Sequence, residues 1–204
     1  MLSIIEARVV GCLLEKERTV PDQYPLTMNA LLSACNQSQS REPIMRLEDH
    51  EIESAITTMK AAGLVRMVHP SHGRSVTRYR QVADEKWQLQ PAEAAVVSVL
   101  LLRGPQTVAE LRARTERQHS FGSLEDVESV LRALSDRQFV RLLDRQPGQK
   151  ETRWQQLLAD EAEHAVVLRS ASGAAAEESV ALHARIEQLE ARVARLEAAL
   201  EELL

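Results

Sequence analysis

The 204-residue sequence predicts a mainly α-helical protein with small β elements, which is an α+β fold. Two observations carry this prediction. First, the segment from Ile52 to Tyr79 is similar to the segment from Val127 to Trp154, at a constant offset of 75 positions and without a gap. Second, apolar residues in each copy follow helical spacing and are then succeeded by two short β-prone runs joined by a glycine-containing turn. A helix followed by a strand, a turn and a second strand is typical of the second half of a winged helix, which is a helix-turn-helix variant.

The first half of the unit repeats as well. Residues 6–10 (EARVV) are similar to residues 93–97 (EAAVV), at an offset of 87 positions. The change of offset from 87 to 75 indicates 12 additional residues in the first copy, within a polar insertion at 33–46. The sequence therefore predicts two tandem winged-helix domains, a linker and a C-terminal coiled coil, at residues 1–83, 88–158, 159–176 and 177–204 respectively.

Local signals place three helices in each unit. The predicted helices span residues 3–16, 28–34, 48–62 and 92–103, and two more begin after Thr107 and Ser123. Thr107 and Glu110 have the spacing of a capping box, in which each side chain bonds the other residue's backbone amide. The Gly104–Pro105 pair is a strong stop signal, and the charged stretch 83–86 is predicted to be a linker.

Apolar residues recur at the spacing of a heptad repeat near the C-terminus. These predicted dimerisation residues are Leu182, Ile186, Leu189, Val193, Leu196, Leu200 and Leu203. In a parallel dimer the flanking positions would pair Arg185 with Glu190 of the partner subunit, and Arg192 with Glu197 of the partner subunit, whereas an antiparallel pair would place like charges together. We therefore expect a parallel homodimer. The alternative is a single helix that folds back on its own domains.

Composition and charge limit the classes of function that are compatible with the sequence. The net charge of −5 comes from the last segment. Residues 1–83 contain 10 Lys and Arg against 9 Asp and Glu, and residues 84–158 contain 11 against 11, whereas residues 159–204 contain 4 against 10. No apolar run is long enough to span a bilayer and no export signal is evident, so we expect a cytoplasmic protein without a membrane partner. Two cysteines fit a reducing compartment. Because no metal-ligand spacing, phosphate loop or acid–base arrangement is present, we expect no metal, no cofactor and no catalytic residue.

Several motifs occur together in one known protein family. In the first unit they are EARVVGCLLEK at 6–16, the residues Pro21, Tyr24, Pro25 and Leu26, ACNQ at 34–37 and REP at 41–43. In the second unit they are LLLRGPQT at 100–107 and ELR at 110–112. With these motifs the sequence resembles the YceH family of bacterial proteins. The resemblance covers residues 4–158 and implies a tandem winged-helix fold, but no established activity.

Basic residues on or beside the predicted turns are candidates for contacts with double-stranded DNA. The predicted nucleic-acid-binding residues are Arg41, Arg74, Arg78, Arg80, Arg145, Lys150 and Arg153. Wings commonly contact phosphates, and such contacts supply most non-specific affinity. The alternative is that the wing arginines are ordinary solvated residues or pair with acids of their own domain, and that Arg41 bonds Glu42 or a neighbouring carbonyl.

The charges of the predicted third helices argue against a binding mode in which these helices enter the major groove of DNA and contact the bases. Their open faces carry carboxylates at the N-terminal end, where a recognition helix meets the DNA, namely Glu48, Asp49, Glu51 and Glu53 in one and Glu125, Asp126 and Glu128 in the other. The leading hypothesis is therefore DNA binding through the wings, with a role in transcription regulation. The alternative is a dimeric scaffold that uses the same domains to bind another protein.

Overall fold

The computed structural model describes residues 1–69, 76–145 and 151–159, together with the helical positions 185 and 188. The chain forms a mixed α+β fold of helices and small antiparallel sheets. The elements are α1 (Ile4–Thr19), β1 (Leu26–Thr27), α2 (Met28–Cys35), α3 (Asp49–Ala61), β2 (Val65–Val68), β3 (Arg78–Gln81), α4 (Ala83–Trp87), α5 (Pro91–Arg103), α6 (Val108–Thr115), α7 (Leu124–Asp136), β4 (Val140–Leu142) and β5 (Trp154–Gln156), with a 3₁₀ turn at Pro21–Gln23. Contacts group residues 1–164 into one compact unit and residues 165–204 into another.

The two sheets have matching topologies. In the first, β3 lies between β1 and β2, and both pairs are antiparallel. In the second, β4 pairs with β5, and Gln106 takes the place of β1 through two backbone hydrogen bonds to Trp154, of 3.0 and 2.7 Å. Leu26 pairs with Tyr79 as Gln106 pairs with Trp154, so the aromatic residue that the sequence repeat aligns occupies the same position in each sheet.

The helix ends repeat as well. Thr27 caps α2 and Thr107 caps α6, each accepting a hydrogen bond from the amide of the residue three positions later. Gly63 and Gln138, which the 75-residue offset aligns, both adopt the left-handed conformation after the third helix of their copy (φ 69° and 60°). The predicted capping box at Thr107 and the N-cap at Ser123 are confirmed.

The first helices of the two copies pack against each other in the core. Every residue of α5 from Glu93 to Leu102 is buried, and so is every residue of α1 from Ala7 to Leu14. A Cβ atom at Gly11 would lie 2.9 Å from Cγ of Leu102, so the glycine permits this close approach. Both helices are covered on more than one side, which is why neither shows the single apolar stripe of a surface helix.

The polar insertion folds onto α1 and closes over the other side of that helix. Arg8 is only 2% exposed and donates to the backbone carbonyls of Cys35 and Pro43, at 3.0 and 2.5 Å. The Glu42 amide donates to the Leu102 carbonyl at 2.7 Å, which ties the insertion to α5. The insertion is therefore part of the interface between the copies and not a loop held out into solvent.

Two predictions about connecting segments have different outcomes. Residues 83–86, predicted as a linker, form most of the short helix α4, which ends at Gln88 in the left-handed conformation. The predicted coiled-coil residues lie outside the described part of the chain; of the positions nearby, Arg185 and Gln188 are helical, with a 2.7 Å hydrogen bond between their side chains. None of the described helices is both long and apolar enough to cross a membrane.

Candidate nucleic-acid interface

The outer face of the three-stranded sheet carries three arginines. Arg66 of β2 lies directly opposite Arg80 of β3, and Arg78 lies two residues before Arg80. Because side chains alternate along a strand, these three share one face. Tyr79 and Gln81 are buried on the opposite face, against the helices. We call Arg66, Arg78 and Arg80 the arginine face.

One carboxylate serves two of these arginines. Nη2 of Arg80 donates to Oε1 of Glu85 at 3.1 Å, and Nη2 of Arg66 lies 3.8 Å from Oε2 of the same group. The side chains of Arg66, Arg80 and Glu85 are 64%, 38% and 53% exposed. Exposed ion pairs of this kind contribute only about 0–1 kcal/mol, so a phosphate can replace Glu85 at little cost.

Arg78 is held by backbone rather than by an acid. Its Nη1 donates to the carbonyls of Pro25 and Gln23, at 2.8 and 3.3 Å, while the residue as a whole stays exposed. These bonds anchor the guanidinium beside β1 and leave its charge without a neutralising carboxylate in the described contacts. The arginine face therefore carries three positive charges opposed by one negative charge.

The second hairpin is differently arranged. Nη1 of Arg153 donates to Oε2 of Glu110 at 2.8 Å and to the Pro105 carbonyl at 3.0 Å. Burial favours a raised pKa for Glu110, but the capping N–H of Thr107 and the charges of Arg153 and Arg114 outweigh it and hold the pKa below its usual value. Arg153 is thus half-buried in an ion pair with an acid of its own domain, which is the alternative stated for the wing arginines. Arg145, which follows β4, is exposed.

Arg41 does not present donors to solvent, contrary to the sequence-based expectation. Its side chain is fully buried, and all five of its N–H groups have partners. Nε donates to the Ala34 carbonyl, and the two terminal nitrogens donate to both oxygens of Glu15, to the Ser40 carbonyl and to Oε1 of Gln37, over distances of 2.7–3.3 Å. Its role in this structure is to hold the insertion against α1.

The remaining predicted residues, Arg74 and Lys150, lie outside the described residues. Sequence reasoning missed Arg66, which lies on the arginine face, and Arg141, its counterpart in the other copy, which is also exposed. The signal was present: the repeat aligns LVR at 64–66 with FVR at 139–141, and strand alternation places the arginine on the outer face. Among the described residues, no group of three or more His, Cys, Asp or Glu side chains is arranged to hold a metal ion.

The exposed N-terminal turns of the third helices are acidic, as predicted. The exposed carboxylates are Glu48, Asp49 and Glu53 at α3 and Glu125, Asp126 and Glu128 at α7. Several also serve the helix itself: the side chains of Glu51 and Asp126 close capping boxes with the residues before their helices. A phosphate backbone approaching these helix ends would meet negative charge.

Comparison with known proteins places the chain in a family. The family described as a protein of unknown function, DUF480, matches residues 2–149, which include most of both copies. The UPF0502 protein of Solibacter usitatus is 45% identical over 201 residues, covering 98% of this chain and 95% of the relative. UPF0502 proteins of Geobacter sulfurreducens and Klebsiella pneumoniae are 43% and 42% identical, covering 96% and 100% of this chain and 90% and 96% of the relatives. These matches confirm the resemblance inferred from the motifs, and the chain belongs to the YceH/UPF0502 family of bacterial proteins.

Proposed function

We propose that this protein binds double-stranded DNA, in a transcription-regulatory role, through the hairpins of two winged-helix domains at residues 1–83 and 88–158. The observation that carries the proposal is the arginine face on the first sheet. The order helix, strand, helix, helix, strand, strand in each copy supports the winged-helix assignment, with Gln106 standing for the first strand of the second copy.

The chemistry of the arginine face suits a phosphate backbone. A guanidinium presents several N–H donors in a plane that matches phosphate oxygens, and such pairs are stronger than those between neutral groups. Arg66 and Arg80 share a single exposed carboxylate, so DNA phosphates offer each of them an anionic partner of its own. The exposed Val68, on the same face, adds an apolar surface for contact with sugars.

The mode of binding follows from where the acids lie. Carboxylates at the starts of α3 and α7 disfavour insertion of these helices into major grooves. We therefore propose that the hairpins and their turns make the contacts, including Arg74, Arg145 and Lys150 beside the turns. Contacts of this type read the backbone and supply little base discrimination.

The test is fluorescence anisotropy of a labelled duplex at several salt concentrations. The Arg66→Gln, Arg80→Gln double variant removes two charges from the exposed face without touching the core. We expect it to weaken binding and to reduce the slope of log K against log salt by about 1.8, since each phosphate contact contributes about 0.9.

Arg132→Gln is the control. Arg132 is an exposed arginine of α7 and, among the described residues, its ion pair is with Glu128 in its own helix, at 3.5 Å. If the wings carry the contacts, this variant binds DNA like the wild type. A loss of binding in Arg132→Gln with none in the double variant would instead place DNA on α7, and no binding of the wild type at low salt would refute the proposal.

The acidic third helices favour a second candidate, in which the domains bind a protein with a basic surface. In this case Glu53→Gln, Glu128→Gln would weaken capture of a polycationic partner, while Arg66→Gln, Arg80→Gln would not. The two candidates predict opposite effects of the two double variants, so one pair of proteins distinguishes them.

We also propose that the heptad residues of the C-terminal segment form a parallel homodimer. Removal of residues 177–204 is expected to convert a dimer into a monomer, as measured by light scattering. The same number of chains per particle before and after removal would contradict the coiled coil as the dimer interface, and it would leave the DNA proposal unaffected.

A further inference from the structure

A polar cleft of about 410 Å³ lies where the insertion meets both copies. Its walls are residues 37–40 of the insertion, Glu15 and Lys16 near the end of α1, and Arg117, which follows α6 in the second copy. We call it the insertion cleft. None of the residues of the arginine face lines it.

Three acceptor atoms on the wall are already used inside the protein. The two carboxylate oxygens of Glu15 accept from Arg41 at 3.3 and 2.7 Å, and Lys16 lies 3.3 Å from one of them. Oε1 of Gln37 accepts from Arg41 at 2.8 Å and from Lys16 at 3.4 Å. The carboxylate is thereby neutralised, and the oxygen of the Gln37 amide is turned inward.

Ser40 follows the same pattern. Its hydroxyl oxygen accepts from Nη2 of Arg103, and its backbone carbonyl accepts from Arg41 at 2.8 Å. Its φ of 64° is a left-handed conformation that costs a non-glycine residue about 1–3 kcal/mol. On Lys16, Gln37 and Ser40 the side-chain groups that remain are donors: the Gln37 amide N–H₂, the Ser40 O–H and the remaining N–H of Lys16.

The charge of the cleft is positive. Its walls carry two cations, Lys16 and Arg117, and one carboxylate, Glu15, which is already paired with the buried Arg41. Arg117 is exposed, and among the described residues it has no hydrogen bond or ion pair. Its guanidinium is therefore available, from the second copy, to a group held by the first.

We propose that the insertion cleft is a binding site for a small phosphomonoester, such as a sugar phosphate or a nucleoside monophosphate. The volume is within the range of about 300–1,000 Å³ that small-ligand sites occupy. A terminal phosphate has three oxygens that can accept together from Arg117, Lys16 and the Gln37 amide, which a lone carboxylate cannot match. Occupation would link the two copies, because the donors come from both.

The experiment is isothermal titration calorimetry of the full chain with adenosine monophosphate, ribose 5-phosphate and inorganic phosphate, at constant ionic strength in chloride. Arg117→Glu is expected to weaken binding at least about tenfold, as removal of a charge-assisted hydrogen bond does. Gln37→Glu keeps the oxygen that Arg41 and Lys16 use but replaces the N–H₂ donor, and it is expected to weaken binding similarly without lowering Tm.

Arg132→Glu is the control, because it makes the same charge change on an exposed helix away from the cleft. Binding that is saturable in the wild type and in Arg132→Glu, and lost in both cleft variants, supports the site. Equal affinity in all four proteins, or no saturable heat with any of the three probes, overturns it. If Arg117→Glu weakens binding of duplex DNA while none of the small probes binds, the phosphate belongs to nucleic acid and the small-ligand site is refuted.

Discussion

Removal of Arg41 is expected to destabilise the protein and not merely to change its surface charge. Met has an apolar side chain similar in size to the apolar part of the arginine. In Arg41→Met, Glu15 loses both hydrogen bonds that it accepts from the Arg41 side chain, which is 0% exposed. Breaking a buried ion pair from one side costs about 3–5 kcal/mol, and Glu15 would keep only the weaker contact with Lys16, at 3.3 Å. For a chain of this size that corresponds to a fall in Tm of about 6–20 °C.

The assay is urea unfolding at neutral pH, followed by circular dichroism, with Arg132→Met as the exposed control, for which we expect a change within about 0.5 kcal/mol. Adding Glu15→Gln to Arg41→Met removes the orphaned charge and is expected to recover part of the loss. The coupling between the two changes should be about 0.5–3 kcal/mol. A loss below about 1 kcal/mol in Arg41→Met, or strict additivity of the two changes, would refute the assignment of Arg41 as an internal tie.

Three further predictions concern other contacts. Gly11→Val is expected to lower the free energy of unfolding by about 1–3 kcal/mol or more, because the valine methyl groups would overlap Leu102 where the two copies meet. A free energy of unfolding in urea equal to that of the wild type would contradict this packing. Glu110→Gln is expected to strengthen DNA binding in the anisotropy assay and to steepen its salt dependence by about 0.9, because Arg153 loses its carboxylate partner; unchanged binding would show that Arg153 contacts no phosphate. Burial favours a raised pKa for Glu15, but the hydrogen bond from its arginine partner outweighs it and holds the pKa below the usual value. The ionised form therefore stabilises the fold above about pH 4.3, so the stability advantage of the wild type over Glu15→Gln should shrink as pH falls through the acidic range. An equal advantage at pH 7 and pH 3 would contradict this sign.

The parts of the fold that can be predicted from the sequence are those with local causes. Thr27 and Thr107 cap helices because a hydroxyl reaches an amide three residues later, and no distant contact is needed for that. Gly63 marks the end of a helix because glycine adopts positive φ without strain. Gln138 shows the strength of the repeat, since it takes the same conformation at the aligned position although it is not a glycine.

What the sequence could not predict depends on contacts between distant segments. Nothing in the local sequence of α1 predicts that Arg8 is buried, because an arginine is rarely buried unless it is paired. Only the insertion, folding back over more than 25 residues, supplies the carbonyls of Cys35 and Pro43 that accept from its two terminal nitrogens. The same reasoning failed for Arg41, since a polar stretch with prolines resembles a surface loop until its partners are known.

The insertion also explains how a duplicated fold can acquire a site that is present only once. Both copies have the same order of helices and strands, so any site made from repeated residues would occur twice. The insertion occurs only in the first copy, and it reaches α5 of the second through the amide of Glu42 and the hydroxyl of Ser40. The cleft beside it therefore combines Lys16 from one copy with Arg117 from the other, and neither copy alone contains both cations. A ligand held there would stabilise one arrangement of the two copies over others, and any effect of that ligand on DNA binding should disappear in Arg117→Glu while the arginine face stays intact.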